Sequence, residues 1–223
     1  MTTTTFKAGS RTPIVVLISG SGSNLQALID AINDGALHAD IKAVISNKPY
    51  AYGLERARQQ SIPTAIVNHR DFADRAQFDQ SLQETIDQYQ PKLVVLAGFM
   101  RILTADFVNH YSGRMINIHP SLLPAYTGLN THQRAIDAGD QEHGVSIHFV
   151  TNELDGGPII SQARVPIHPG DSAEKLANRV LDQEHHLYPM TLEWICQGRL
   201  HQQQNQVIFD GQALTKPIDC TQA

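Results

Sequence analysis

Two polar side chains set in an apolar run have types and spacing suited to chemistry. In Met115-Ile116-Asn117-Ile118-His119-Pro120, strand alternation puts Asn117 and His119 on one face and Ile116 and Ile118 on the other. A carboxamide offers N–H groups to a developing negative charge, and an imidazole exchanges a proton near neutral pH. Pro120 has no N–H for a ladder and marks the strand's carboxyl end, the rim where open α/β sheets form ligand crevices. The same pattern also fits a core histidine hydrogen-bonded to backbone. A further acid-bearing connection, Asn152-Glu153-Leu154-Asp155-Gly156-Gly157, sets Asp155 beside two glycines that let backbone approach a ligand, although Asp-Gly is also a frequent turn.

A second chemistry is suggested by Ser19-Gly20-Ser21-Gly22-Ser23-Asn24, which follows the apolar run Ile14 to Ile18 and precedes Leu25, Leu28, Ile29 and Ile32 at helical spacing. Strand, glycine turn and helix leave backbone N–H groups aimed outward at a helix N-terminus, where a phosphate can sit without a lysine. A dinucleotide site does not fit. The third glycine position is Leu25, and the next strand ends in Ser46-Asn47 with no acid for a ribose. A monophosphate fits better, and a turn serving only close strand–helix packing remains the alternative. Glu184-His185-His186 are adjacent on a helix, do not converge, and belong to no H-E-x-x-H motif, so no metal is assigned.

The elements that must position these groups alternate. Helices are expected from about Gly53 to Gln60 and Arg75 to Tyr89, and strands near Ile41 to Ile45, Thr64 to Val67 and Leu93 to Ala97. Right-handed crossovers and a parallel sheet follow. The loop from Pro120 to Asn130 has the length of an active-site lid. Gly144 to Val150 and Pro158 to Val165 alternate as a hairpin would, so the sheet should become mixed. A last helix is capped near Asp171-Ser172 and stops at Gly198, and a small hairpin is expected around Asp210-Gly211. The expected organisation is a disordered lead over 1–12, a single domain over 13–210 and a loosely ordered tail over 211–223.

With 223 residues, net charge -5 and 41% hydrophobic content, the chain can bury a sizeable core, and its scattered basic residues argue against nucleic-acid or membrane partners. Cys196 and Cys220 form no C-x-x-C pair, which suits a reducing cytoplasm. No apolar run reaches membrane-spanning length.

Taken in order, Ser19-Gly20-x-Gly22-Ser23-Asn24-Leu25, Ser46-Asn47, Leu96 to Leu103, Asn117-Ile118-His119-Pro120-Ser121-Leu122-Leu123-Pro124 and Asp155-Gly156-Gly157-Pro158-Ile159 resemble the folate-dependent formyltransferases, in particular the branch acting on a glycinamide ribotide. The resemblance runs from about Ile14 to Leu200. It implies a Rossmann-like α/β fold, mostly parallel with helices on both faces and an antiparallel C-terminal portion. It also implies formyl transfer from 10-formyltetrahydrofolate to 5'-phosphoribosylglycinamide in purine biosynthesis, without a metal, by a cytoplasmic monomer or weak homodimer.

Carried over by residue, the resemblance makes Asn117, His119 and Asp155 catalytic, and assigns Gly22, Ser23, Asn24, Gly98 and Glu184 to the ribotide. It assigns Arg75, Met100, Arg101, Ile102, Leu103, Phe107, Val108, Asn117, Val150, Thr151, Asn152, Glu153, Leu154 and Asp155 to the folate. Ser21, Thr127 and Asn130 depart from the pattern of relatives, which bears on loop geometry and rate. In such a trio Asn117 and His119 would face the oxyanion of a tetrahedral intermediate, and Asp155 would favour an imidazolium and help a proton pass. A non-catalytic phosphate sensor would need the turn but not the trio. A formyl-folate hydrolase would be expected to carry an extra N-terminal domain, and a tRNA formyltransferase a basic C-terminal one.

Overall fold

The computed structural model describes residues 11–221. β1 (Thr12–Ile18) is followed by α1 (Ser23–Asn33), β2 (Ala39–Ser46), α2 (Tyr52–Gln59), β3 (Thr64–Ile66), α3 (Arg75–Asp87), β4 (Leu93–Leu96), α4 (Ala105–His110) and β5 (Met115–His119). α5 (Thr131–Ala138), β6 (Glu142–Phe149), β7 (Ile159–Pro166) and α6 (Ala173–Cys196) complete the main body. Among the described residues one eight-stranded sheet has the order β11-β7-β6-β5-β4-β1-β2-β3, β11 being Ile218–Asp219. β1 to β5 run parallel, and β6 turns antiparallel against β5 and β7.

β1 shows why the run from Ile14 to Ile18 has no polar face. Ile14, Val16 and Ile18 pack on one side with Leu25, Leu28 and Ile29 of α1 and with Leu187, Tyr188 and Leu192 of α6. Val15 and Leu17 pack on the other side with Phe78, Leu82 and Ile86 of α3. A strand covered on both faces must be apolar throughout. α6 packs on β6 and β7, and its fully buried Tyr188 donates its phenol O–H to the Leu96 carbonyl at 2.9 Å, so the helix is fixed beside the carboxyl end of β4.

The ends differ from expectation. Thr12 already belongs to β1 and is buried, so the lead expected over 1–12 cannot extend that far; residues 1–10 lie outside the described residues. The hairpin at Asp210-Gly211 is present between β9 (Gln206–Phe209) and β10 (Gln212–Ala213), with β8 (Leu200–Gln203) forming a second hairpin on β9. The tail expected to be loose from 211 instead supplies β10 and then β11, which pairs in parallel with β7. Short edge pairings of two residues carry no periodicity that a sequence could display.

Candidate functional site

The glycine turn closes β1 and opens α1 as expected. Gly22 is the helix N-cap at φ 70°, and a Cβ there would stand 2.6 Å from the Gly53 Cα. Glycine is required on both counts, conformation and close approach. The turn is pinned by Gly53 N–H donating to Gly20 O at 3.1 Å and by Arg56 Nε donating to Ser21 O at 2.9 Å. α1 therefore presents the free N–H groups of its first turn to the rim of the sheet. Beside them Asn24 donates from Nδ2 to Glu184 Oε2 of α6 at 2.7 Å, across 160 positions of sequence. Burial pushes the Glu184 carboxyl up to about 7, against the opposing hydrogen bond from Asn24.

Asn117 and His119 do share a face, and it opens into a cavity of about 780 Å³. Antiparallel pairing sets Asn117 opposite His148 and His119 opposite Ser146. His119 Nε2 lies 2.9 Å from the Tyr126 carbonyl, to which it donates, leaving Nδ1 3.5 Å from Asp155 Oδ2. That is ion-pair distance for a ring carrying a proton on Nδ1. Asp155 stands at φ 52° in the connection after β6, so a residue in a turn conformation also presents the carboxylate that faces His119. Gly157, two positions on, has no room for a side chain, since a Cβ would meet the Phe149 carbonyl oxygen at 1.8 Å.

His148 was missed. It is 2% exposed, its Nδ1 lies 2.9 Å from the Phe149 carbonyl, and its Nε2 lies 3.1 Å from Asn117 Nδ2. Burial lowers its pKa, more than the Phe149 carbonyl and Asp155 raise it, so the ring is neutral. With the Nδ1 proton given to Phe149, Nε2 can only accept, which fixes the Asn117 amide with its NH2 group on this side. One amide hydrogen is held by His148, and the other is left for a ligand. The signal was available, because Ser146 and His148 alternate with Val145, Ile147 and Phe149 just as Asn117 and His119 alternate with isoleucines.

The loop between β5 and α5 lies over the trio. Ser146 Oγ donates to Ser121 O at 2.7 Å and accepts from Leu123 N at 3.0 Å, fixing the loop's start. Arg134 donates to Thr127 O at 2.6 Å, and Gly128 N donates to Asp155 Oδ2 at 2.8 Å, fixing its far side. The loop's backbone thus contacts both groups: the Tyr126 carbonyl orients the His119 imidazole and the Gly128 N–H the Asp155 carboxylate. Of the departures from the family pattern, Asn130 lines the cavity and Thr127 does not. Thr127 is used through its carbonyl, and Asn130 caps α5 at φ 57° with no side-chain cap bond.

The remaining expected folate residues are distributed unevenly. Arg75, Met100, Arg101, Ile102, Leu103 and Val108 line one side of the cavity, and Val150, Thr151, Asn152, Glu153 and Leu154 the other. Phe107 does not line it. It is buried beneath, its ring 5.0 Å from that of Tyr111, because the short α4 turns Val108 to the cavity and Phe107 to the core. Gly98 lines this cavity, while Gly22, Ser23, Asn24 and Glu184 lie outside its lining. The expected ribotide residues are thus split between the turn and the cavity's near wall. His132, Gly128 and Leu129 join the lining without having been expected. Among the described residues no group of three or more His, Cys, Asp or Glu could hold a metal ion, and no helix is long and apolar enough to cross a membrane.

Residues 12–192 match the model of the formyl transferase family. The chain is 54% identical over 201 residues to a phosphoribosylglycinamide formyltransferase of Escherichia coli, covering 90% of this chain and 95% of that one. It is 49% identical over 203 residues to the protein of the same name in Haemophilus influenzae, covering 91% and 96%. The solved phosphoribosylglycinamide formyltransferase of Coxiella burnetii, in complex with CHES, superposes with TM-score 0.91 at 58% identity, covering 94% of this chain and 99% of that one.

Proposed function

We infer that this chain, which belongs to the formyl transferase family, transfers the formyl group of 10-formyltetrahydrofolate to the amino group of 5'-phosphoribosylglycinamide, giving formylglycinamide ribotide and tetrahydrofolate. The observation that carries the reading is the convergence of Asn117, His119 and Asp155 on one cavity, in a fold that also carries the glycine turn at the N-terminus of α1. The cavity has the size of a site for a drug-sized ligand, within the range of about 300–1,000 Å³. Its walls of Leu103, Val108 and Val150 suit a flat apolar ring, and Arg75 and Arg101 suit an acidic end.

The ribotide phosphate takes the N–H groups of Gly22, Ser23 and Asn24, which aims its amine toward Gly98 and the trio. Attack of the amine nitrogen on the formyl carbon places negative charge on the formyl oxygen. The free amide hydrogen of Asn117 and a proton on His119 Nδ1 receive that charge. As the bond from carbon to the folate nitrogen breaks, a proton must leave the amine and reach the departing nitrogen. Asp155, hydrogen-bonded to Gly128 and facing both His119 and His148, is the carboxylate placed to carry it, directly or through water. Asp155 thus serves two ends, holding the imidazolium and relaying the proton. The chain acts as one formyltransferase domain whose strands run from Thr12 to Asp219, in the cytoplasm, without metal, as a monomer or weak homodimer.

Mixing the protein with 10-formyltetrahydrofolate, with and without the ribotide, tests this directly. Formyl loss only in the presence of ribotide is the expected result. Equal loss in its absence would identify a hydrolase, and ribotide binding with no formyl loss a sensor.

A further inference from the structure

We propose that Ser19 and Asn47 act as a positioning pair that holds the Gly98–Leu103 wall of the cavity, and thereby sets affinity for the formyl folate without touching it. Neither residue lines the cavity, and Asn47 belongs to the Ser46-Asn47 stretch for which the proposed mechanism has no use.

Ser19 grips the wall twice. Its N–H donates to Gly98 O at 3.1 Å, and its Oγ accepts from Met100 N at 2.7 Å, so one residue spans the turn from Gly98 to Met100. The same hydroxyl donates to Asn47 Oδ1 at 2.6 Å, with both residues buried. Asn47 is held in turn by His69, whose Nδ1 lies 2.9 Å from the Asn47 carbonyl oxygen and 3.2 Å from the amide nitrogen. The oxygen contact takes the ring N–H. The His69 ring meets Phe78 edge-on at 6.4 Å, and Arg101 covers the Phe78 face at 5.7 Å. The chain of contacts therefore leaves the wall at Met100 and returns to it at Arg101.

Apolar packing gives this wall little support. Gly98 sits at φ 78°, and Met100 and Ile102 are 60% and 58% exposed, leaving Phe99 and the half-buried Leu103 as its anchors in the core. The phosphate turn is fastened independently, through Gly53 and Arg56. Loss of the Ser19 hydroxyl would orphan the Met100 N–H and Asn47 Oδ1 on the folate side, while the Ser19 N–H still holds Gly98 and the bonds from Gly53 and Arg56 still hold the turn on the ribotide side. The proposal rests on the cavity being the folate pocket.

The test is the KM for each substrate in wild type, Ser19→Ala, Asn47→Ala and the double variant, with the melting temperature of each. Ser19→Ala should raise the KM for 10-formyltetrahydrofolate about ten-fold, the range of a lost buried hydrogen bond, and leave the ribotide KM within about two-fold. The double variant should match Ser19→Ala within about two-fold, because the Asn47 amide reaches the wall through the Ser19 hydroxyl that Ser19→Ala already removes. A lowered melting temperature with both KM values unchanged, equal changes in both, or additive single effects would each overturn the pair. A wild type without ribotide-dependent formyl release would instead overturn the functional reading, and the pair with it.

Discussion

Glu184 makes stability depend on pH in a way that one substitution isolates. Glu184 is 8% exposed, Asn24 Nδ2 is the one side-chain donor to its carboxyl among the described residues, and burial lifts its pKa from 4.5 to about 7. In the unfolded chain it titrates near the ordinary value. Between the two values the folded protein keeps a proton that the unfolded protein has lost, so stability falls as pH rises. The contribution is fully present below about pH 4.5 and is lost as pH passes through about 7. At 1.36 kcal/mol per unit, the difference amounts to about 3 kcal/mol. Glu184→Gln keeps the oxygen that accepts from Asn24 but cannot ionise. Urea unfolding of both proteins should therefore give ΔG curves that diverge, with wild type losing about 3 kcal/mol relative to the variant between pH 4.5 and 8. Other carboxylates cancel in the comparison. Parallel curves, differing by a constant within about 0.5 kcal/mol, would mean that Glu184 is ionised at little expense and that its burial does not control its charge. Ribose hydroxyls donating to this carboxylate would favour its charged form, so ribotide binding near pH 7 should release a proton, visible as heats that depend on the ionisation enthalpy of the buffer.

Asn117→Ala, His119→Ala and Asp155→Asn should each lower kcat by about a hundred-fold or more, with ribotide Kd nearly unchanged because the proposed phosphate site is at another loop; full activity in any one removes that residue from the mechanism. Activity should persist after dialysis against a strong chelator, and a loss restored by zinc would overturn the metal-free reading. Gly22→Ala should destabilise by about 1–3 kcal/mol from the left-handed backbone alone, more with the Gly53 contact, and should weaken ribotide binding; an unchanged melting temperature would show that the turn relaxes freely.

The parts legible in sequence were those whose physics is local. Buried parallel strands such as Ile14 to Ile18 announce themselves because no face meets water, and the glycine turn because only glycine tolerates both the backbone angle and the neighbour at Gly22. The two-residue strand β11 was not legible, since its ordering comes from an edge supplied by β7 rather than from its own residues. Phe107 and Val108 were assigned together from resemblance, yet adjacent residues on a helix face different ways, and only the docking of α4 decides which one meets the cavity.

His148 falls between these cases, and it changes how the site is understood. Its alternation with core residues was as plain as that of Asn117, but a lone histidine in an apolar strand gives no hint of which strand lies beside it. Pairing across β5 and β6 supplies that, putting His148 opposite Asn117. Burial then keeps the ring neutral, the Phe149 carbonyl takes its one proton, and the remaining nitrogen dictates how the Asn117 amide must turn. The proposed oxyanion donor is therefore oriented by two groups in series, the Phe149 carbonyl and the His148 ring, neither of which needs to touch substrate. Protonating His148 would put an N–H where Asn117 already donates, forcing the amide to rotate and present its oxygen in place of the hydrogen that catalysis needs.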